Sequence, residues 1–306
     1  MRKFAVFTDS TCNLTREEMQ RVGIQEIIPF HIYINDKEYL ASGDWESISA
    51  KEYYETIKNG ATMRSSNATV AQYEKAFRVA LEQGMDVLSI SCTAVLSRSF
   101  HESVAAAKRL QEEFPEAKII CIDSHGCQYS MSLLIEEACR QRDEGRSIEE
   151  VSEWVEKEKQ CFNEVGTVER LSYLRKAGRI SASAAFFGGA FSIKPIIVYD
   201  EVGNNVAIEK VRGRKASMER SAELCAEYIR PEKFSKVGIA HADCLEEAKQ
   251  LGEMIRRKCK EKGHTAELSF HYGYVESGVG SSVGPGTLIV GFYGKPELRS
   301  LHNKKG

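Results

Sequence analysis

The chain predicts an α/β protein in two parts. The first is a mostly parallel sheet with helices on both faces; the second is a smaller C-terminal α/β domain. Three observations carry this. Short apolar runs alternate with helix-length amphipathic runs through the first half, as a parallel sheet covered on both faces requires. The helix starts carry capping signals. From about residue 160 onward the pattern changes to closely spaced strands followed by two long helices.

The elements follow in order. Phe4–Phe7 is a short buried strand that ends in the hydroxyl-rich turn Thr8-Asp9-Ser10-Thr11. Thr15 and Glu18 have capping-box spacing and open a helix. Gln25 to Ile34, rich in Ile, Phe and Tyr, reads as one strand. Ser49 and Glu52 have capping-box spacing too and begin another helix, which Gly60 stops. After the polar run Ser65-Ser66-Asn67-Ala68-Thr69 comes a helix over Val70–Gln83. Asp86–Ser91 and Ala117–Ile122 are strands, each followed by a helix, the second over Met131–Arg142. Ser147 and Glu150 cap the next helix, and the domain boundary is placed near its end, giving domains 1–160 and 161–306.

In the second half, Glu164–Val168, Lys194–Tyr199 and Val206–Val211 read as strands, with Asn204-Asn205 as a hairpin turn between the last two. Helices over Lys215–Ile229 and Leu245–Lys262 follow. Lys236–Ala240, Ala266–Tyr272 and Gly286–Tyr293 complete the strands. Tyr173 to Ser181 reads as a cationic, glycine-containing turn. An Ala/Gly/Phe-rich run, Ala182 to Ala190, separates it from Ile193-Lys194-Pro195-Ile196-Ile197 and from the second cationic turn, Val211 to Ala216. Such a segment suits a ligand with an anionic end and a greasy end, or a buried, cation-rimmed packing surface.

Composition excludes several classes. The 42 basic and 44 acidic residues nearly cancel, leaving a formal charge of −2 with no concentrated basic face for nucleic acid. Nine cysteines at irregular intervals contain no CxxC pair, so zinc-knuckle and thioredoxin readings fail, and most read as buried thiols. The beginning runs directly into a strand, with no signal-peptide h-region and no run of transmembrane length. A cytoplasmic protein without stable membrane insertion is therefore expected. There is no Gly-x-Ser-x-Gly elbow. His241-Ala242-Asp243-Cys244 falls short of a metal ligand set, and Cys121, His125 and Cys127 straddle a strand end. The glycine-rich run Gly278 to Gly286 lacks dinucleotide spacing and a P-loop Lys and leads into a strand. No catalytic residue, metal or cofactor is expected.

Hydroxyl clusters remain: Thr8 to Thr11, Ser91 to Thr93 continuing to Ser97 and Ser99, Ser124, and Ser65 to Thr69. Serine and threonine dominate caps and turns, so any one cluster is ordinary. Several on the rim where parallel sheets bind ligands point to a site for a carboxylate or phosphate.

Taken together, these motifs resemble the DegV family of bacterial fatty-acid-binding proteins, nearly end to end. Thr8-Asp9-Ser10 is similar to the family's opening Thr-Asp-Ser turn. Ser65 to Thr69 is similar to its Thr-Ser-Gln-Pro-Ser motif, and Leu96-Ser97-Arg98-Ser99-Phe100 to Leu-Ser-Gly-Thr-Tyr. Ile122-Asp123-Ser124, Tyr173 to Ser181, Lys194-Pro195-Ile196, Arg212-Gly213-Arg214-Lys215 and Gly284-Pro285-Gly286 also match, and the Tyr-Leu-x-Lys-x-Gly-Arg-Ile run is the most specific of these. The resemblance implies non-catalytic binding of one long-chain fatty acid. Ser65 and Ser97 would hold the carboxylate, with Ser66 and Ser99 close by, and the acyl tail would lie in an apolar interdomain tunnel. Candidate tail-lining residues are Phe186, Phe187, Ala190, Phe191 and Ile193. A separate ATP-dependent fatty acid kinase is the implied protein partner. Arg98 replaces a small glycine; it could pair with a carboxylate or phosphate or point to solvent, and pairing is the expectation. Ser282 stands where kinase-linked members often carry His, which puts the phosphoryl hand-off in doubt more than lipid binding. The rival reading is a phosphoryl- or acyl-transfer enzyme acting on a small anionic lipid.

Overall fold

A computed structural model describes residues 2–180 and 192–305. Four parallel strands form the first sheet: β1 (Phe4–Asp9), β2 (Glu26–Ile28), β6 (Asp86–Ser91) and β7 (Ile119–Asp123), in the order β2-β1-β6-β7. Both faces are covered, as their near-continuous apolar sequences require. Phe4 and Val6 face α5 (Gln128–Asp143) and α6 (Ile148–Glu158). Ala5 and Phe7 face α3 (Val70–Glu82) and α4 (Ser99–Glu113). The capping boxes at Thr15, for α1 (Arg16–Val22), and at Ser147 form; the one expected at Ser49 forms only in its serine half, which caps α2 (Ala50–Lys58), and Thr69 and Gln72 make a further box that the sequence reading missed.

Residues 25–34 are not one strand. They split into β2, in the parallel sheet, and β3 (His31–Ile34), which joins β4 (Lys37–Leu40) and β5 (Met63–Ser66) in a separate antiparallel sheet ordered β4-β3-β5. Pro29 stands at the break, where its missing N–H ends the ladder.

The second half builds one six-stranded mixed sheet from β8 (Phe162–Thr167), β9 (Ile193–Tyr199), β10 (Asn205–Arg212), β11 (Lys236–His241), β12 (Ser269–Tyr274) and β13 (Leu288–Tyr293), ordered β10-β9-β8-β13-β11-β12. One face packs on helices Arg214–Tyr228 and Leu245–Glu261. Two further expectations are corrected. Residues 173–180 are not simply a turn: Leu171–Ala177 is a helix (α7), ended by Gly178 at φ +65°. Ser277–Val283, read as a glycine loop, is also a short helix; numbering the helices Arg214–Tyr228 and Leu245–Glu261 α8 and α9, it is α10.

Helix α5 belongs to both halves. It covers one face of the parallel sheet and also lies on β8, β11 and β13. A Cβ at Gly291 in β13 would come within 2.6 Å of the Ser130 backbone nitrogen, so only glycine admits the first turn of α5 there. Arg299 forms a second tie. It is 1% exposed, and its guanidinium donates to the carbonyls of Gln160 (3.1 Å), His125 (2.9 Å), Asp200 (3.2 Å) and Phe162 (2.8 Å). We propose the domain boundary near residue 160, between sheets drawn from residues 4–123 and 162–293. Replacing Arg299 by Met strands buried carbonyls, each costing about 1–3 kcal/mol. Urea unfolding of R299M should show a loss of about 3 kcal/mol or more, and a loss under about 1 kcal/mol would contradict the tie.

Candidate functional site

In the parallel sheet the chain leaves β1 toward β2 on one side, while β6 pairs with β1 on the other. The rim beyond β1 and β6 is thus the switch point, where open α/β sheets receive ligands. Asp9 closes β1 there, fully buried. One carboxylate oxygen accepts from the Thr11 N–H (3.1 Å) and hydroxyl (2.6 Å). The other accepts from the Cys92 N–H (2.9 Å) and the Ser99 hydroxyl (2.6 Å). Burial raises its pKa, and these four donors pull it back. Asp9 thereby joins the end of β1, the segment after β6 and the start of α4.

Above this knot lies a cavity of about 390 Å³, lined among others by Thr11, Ser65, Ser66, Asn67, Cys92, Leu96, Ser97, Arg98, Cys127, Arg179, Asn205, Val279 and Ser282. Each serine arrives on a different element. Ser65 and Ser66 end β5. Ser97 lies just before α4 and accepts the Ser99 N–H (3.2 Å), which sets the helix start beside the mouth. Ser282 comes from α10. The Ser281 hydroxyl donates to that of Ser65 (3.2 Å), bridging the two halves of the chain across the mouth. The described lining contains two guanidinium side chains, Arg98 and Arg179, and no carboxylate. That balance favours an anion.

A second cavity of about 40 Å³ shares Cys127, Leu174, Asn205, Val279 and Val283 with the first and leads inward along Val168, Ile197, Val198 and Ile289. It is narrow and mostly aliphatic. Its wall also carries Glu164, Tyr199 and Thr287, all buried. Burial pushes the Glu164 carboxyl up to about 8, against hydrogen bonds from Tyr199 and Ser130.

Helix α10 is held in place from outside the cleft. The Tyr53 hydroxyl donates to the Ser277 carbonyl (2.5 Å) and that of Tyr54 to the Val275 carbonyl (2.6 Å). Buried Glu276 accepts the Gly278 (2.7 Å) and Val279 (3.3 Å) N–H groups. These contacts fold a glycine-rich run whose composition argues against helix.

Of the sequence-selected head-group residues, Ser65, Ser66, Ser97, Arg98 and Ser282 thus line one cavity. Ser99 does not: it is fully buried, bonded to Asp9 and to the Tyr73 hydroxyl (2.6 Å), one layer behind the rim. Arg98 is largely exposed and its Nε lies 3.3 Å from Glu102, one helical turn along, so the anion it pairs with here is within the chain. Ile193 opens β9 half-buried and is not among the described residues lining either cavity. Phe186, Phe187, Ala190 and Phe191 lie outside the described residues. Sequence reasoning passed over Asn205, Val279 and Glu164 as site residues; Arg179 belonged to a cationic run but carried no signal separating it from its neighbours. Among the described residues no group of three His, Cys, Asp or Glu side chains could hold a metal, and no helix is long and apolar enough to cross a membrane.

The family model described as "Uncharacterised protein, DegV family" matches residues 3–295. The chain belongs to the DegV family. A DegV domain-containing protein of Clostridium perfringens is 31% identical over 294 residues, 96% of this chain and 98% of the relative. Two solved structures share the DegV fold. The stearic-acid-binding protein of Eubacterium ventriosum has a TM-score of 0.82 at 22% identity, covering 96% of this chain and 99% of its own. The Streptococcus pneumoniae fatty acid kinase B3 protein, loaded with linoleic acid, has a TM-score of 0.78 at 20% identity, covering 95% and 99%.

Burial raises the Glu276 carboxyl to about 7, above its ordinary 4.5, against the backbone donors. The folded state therefore holds a proton that the unfolded chain releases between about pH 4.5 and 7, so this group's contribution is full at low pH and lost as pH rises through 7. Unfolding free energy should fall by up to about 1.4 kcal/mol per pH unit from Glu276 across that window. Urea titrations at pH 5, 6 and 7 should show a shallower decline in E276Q; an unchanged slope would contradict the assignment.

Proposed function

We infer that this protein binds a long-chain fatty acid without converting it. The observation that carries the reading is the join between a serine-lined, cation-bearing mouth and a narrow aliphatic inner cavity. A ligand with an anionic head and an apolar tail matches both ends. The stearic-acid-binding and linoleic-acid-loaded neighbours support that ligand class.

Magnitudes divide the work. A charge-assisted hydrogen bond nets about 1.5–3 kcal/mol, so two or three hydroxyls hold the head moderately. Each buried CH₂ contributes roughly 0.8 kcal/mol, so about 15 methylenes give a gross term near 12 kcal/mol, offset in large part by association and tail ordering. The tail supplies affinity, and Ser65 and Ser97 fix orientation. Ser66, Arg98 and Ser282 complete the mouth, and Phe186, Phe187, Ala190 and Phe191 are the proposed tail contacts beyond it. An ATP-dependent fatty acid kinase is the proposed partner, and Ser282, in place of His, makes the hand-off the part most in need of a test. A cytoplasmic setting fits nine cysteines that are all free.

Solvent extraction and lipid analysis of the purified protein should recover a fatty acid. An empty protein that takes up neither palmitate nor oleate would overturn the reading, and ATP turnover by the isolated chain would overturn its non-catalytic part. Ser97→Ala should weaken retention of the acid about ten-fold and leave the matching fatty alcohol less affected. Equal losses in a competition assay would remove Ser97 from the head-group site.

A further inference from the structure

The inner cavity carries more polar chemistry than a hydrocarbon tail needs. Glu164 is 7% exposed, Tyr199 2% and Thr287 0%, yet all three stand in its wall among Val168, Ile197, Val198 and Ile289. The Thr287 hydroxyl is committed, donating to the Val283 (3.0 Å) and Gly284 (2.9 Å) carbonyls. Tyr199 and Glu164 are less so, although Tyr199 also hydrogen-bonds Glu164. The Tyr199 hydroxyl lies 2.8 Å from the Cys127 sulfur, a weak partner. Glu164 has a long 3.3 Å contact from the Ser130 hydroxyl to one carboxyl oxygen. A carboxyl set into an apolar wall is costly unless a partner completes its hydrogen bonds. The site is also built to stay there. Glu164 lies on β8, opposite Gly291 of β13, where the first turn of α5 sits directly on the sheet. The cavity's about 40 Å³ exceeds what one water requires and would admit a small substituent.

We propose that this inner cavity is a second recognition site for a hydroxyl group borne on the acyl chain, with Glu164 and the Tyr199 hydroxyl as its hydrogen-bond partners. The preferred ligand class is then an oxygenated fatty acid, here meaning a monohydroxylated long chain. The inference rests on the fatty-acid reading above and narrows it. A hydroxyl both donates and accepts, so it completes a neutral carboxyl and a phenol at once, which a methylene cannot do. A plain chain passing the same point leaves those groups with only these weak or long partners, and that difference is the source of discrimination.

The test uses the full chain stripped of lipid. Binding of stearate is compared, by competition against a fluorescent fatty acid, with stearates carrying a single hydroxyl at successive positions along the chain. One position should bind about ten-fold tighter than stearate, the others weaker. In Glu164→Leu that advantage should vanish or reverse, and Glu164→Gln, of nearly unchanged shape, should retain part of it. Stearate binding at least as tightly as every hydroxylated isomer in the wild-type protein overturns the inner site while leaving the fatty-acid reading intact, and needs no variant to fold. Failure of all chains to bind overturns both. A preference unchanged in both Glu164 variants overturns the role of Glu164.

Discussion

The buried Asp9 carboxylate is the constraint on which the mouth depends. Its four donors come from the turn after β1, from Cys92 after β6 and from Ser99 at the start of α4. The β1–β6 ladder ends at Thr8 and Ile90, and Asp9 carries the tie beyond it to the segment after β6 and to the start of α4. Taking a carboxylate out of water is costly, and hydrogen bonds to the charged form are what offset it. The knot also explains a division of labour among the hydroxyls. Thr11 and Ser99 spend theirs on Asp9, whereas Ser97, two residues earlier, keeps its oxygen at the cavity while accepting only the Ser99 N–H.

The opposite wall is fixed by different means. Helix α10 would be a poor helix in isolation, yet Glu276 caps it, and Tyr53 and Tyr54 grip the backbone at its start. Below the cleft, α5 on Gly291 and Arg299 on four carbonyls hold the six-stranded sheet to the first half. The Ser281–Ser65 bridge then sets the spacing of the mouth. A narrow cavity needs this rigidity, since loosely held walls would close over an apolar channel or admit water.

Much of this was legible in the sequence because period and caps act locally. The alternating elements, two capping boxes and the pairing of β9 with β10 follow from patterns within a few residues, although the hairpin loop is residues 200–204 and Asn205 already belongs to β10. What was not legible depends on distant partners. Ser97 and Ser99 look alike in sequence; only the position of Asp9, far earlier in the chain, sends one forward and the other back. The glycines of α10 read as loop because the groups that fold it, Tyr53 and Tyr54, are over 200 residues away. Residues 25–34 read as one strand because β-propensity is continuous there, although Pro29 marks where the chain changes sheets. Glu164 opens the strand expected over Glu164–Val168 as an ordinary polar residue, and its burial on a central strand is a tertiary fact.

We thus propose head and tail recognition at opposite ends of one channel that crosses the seam between the two sheets. The most direct measurement is a crystallographic map of the protein as purified, without added lipid. The account predicts continuous chain-like density with its carboxylate among Ser65, Ser97 and Ser282 and its tail running past Val279 toward Glu164. Density with the carboxylate at the aliphatic end, or a cleft holding only ordered water while an acyl chain lies elsewhere on the protein, would contradict it.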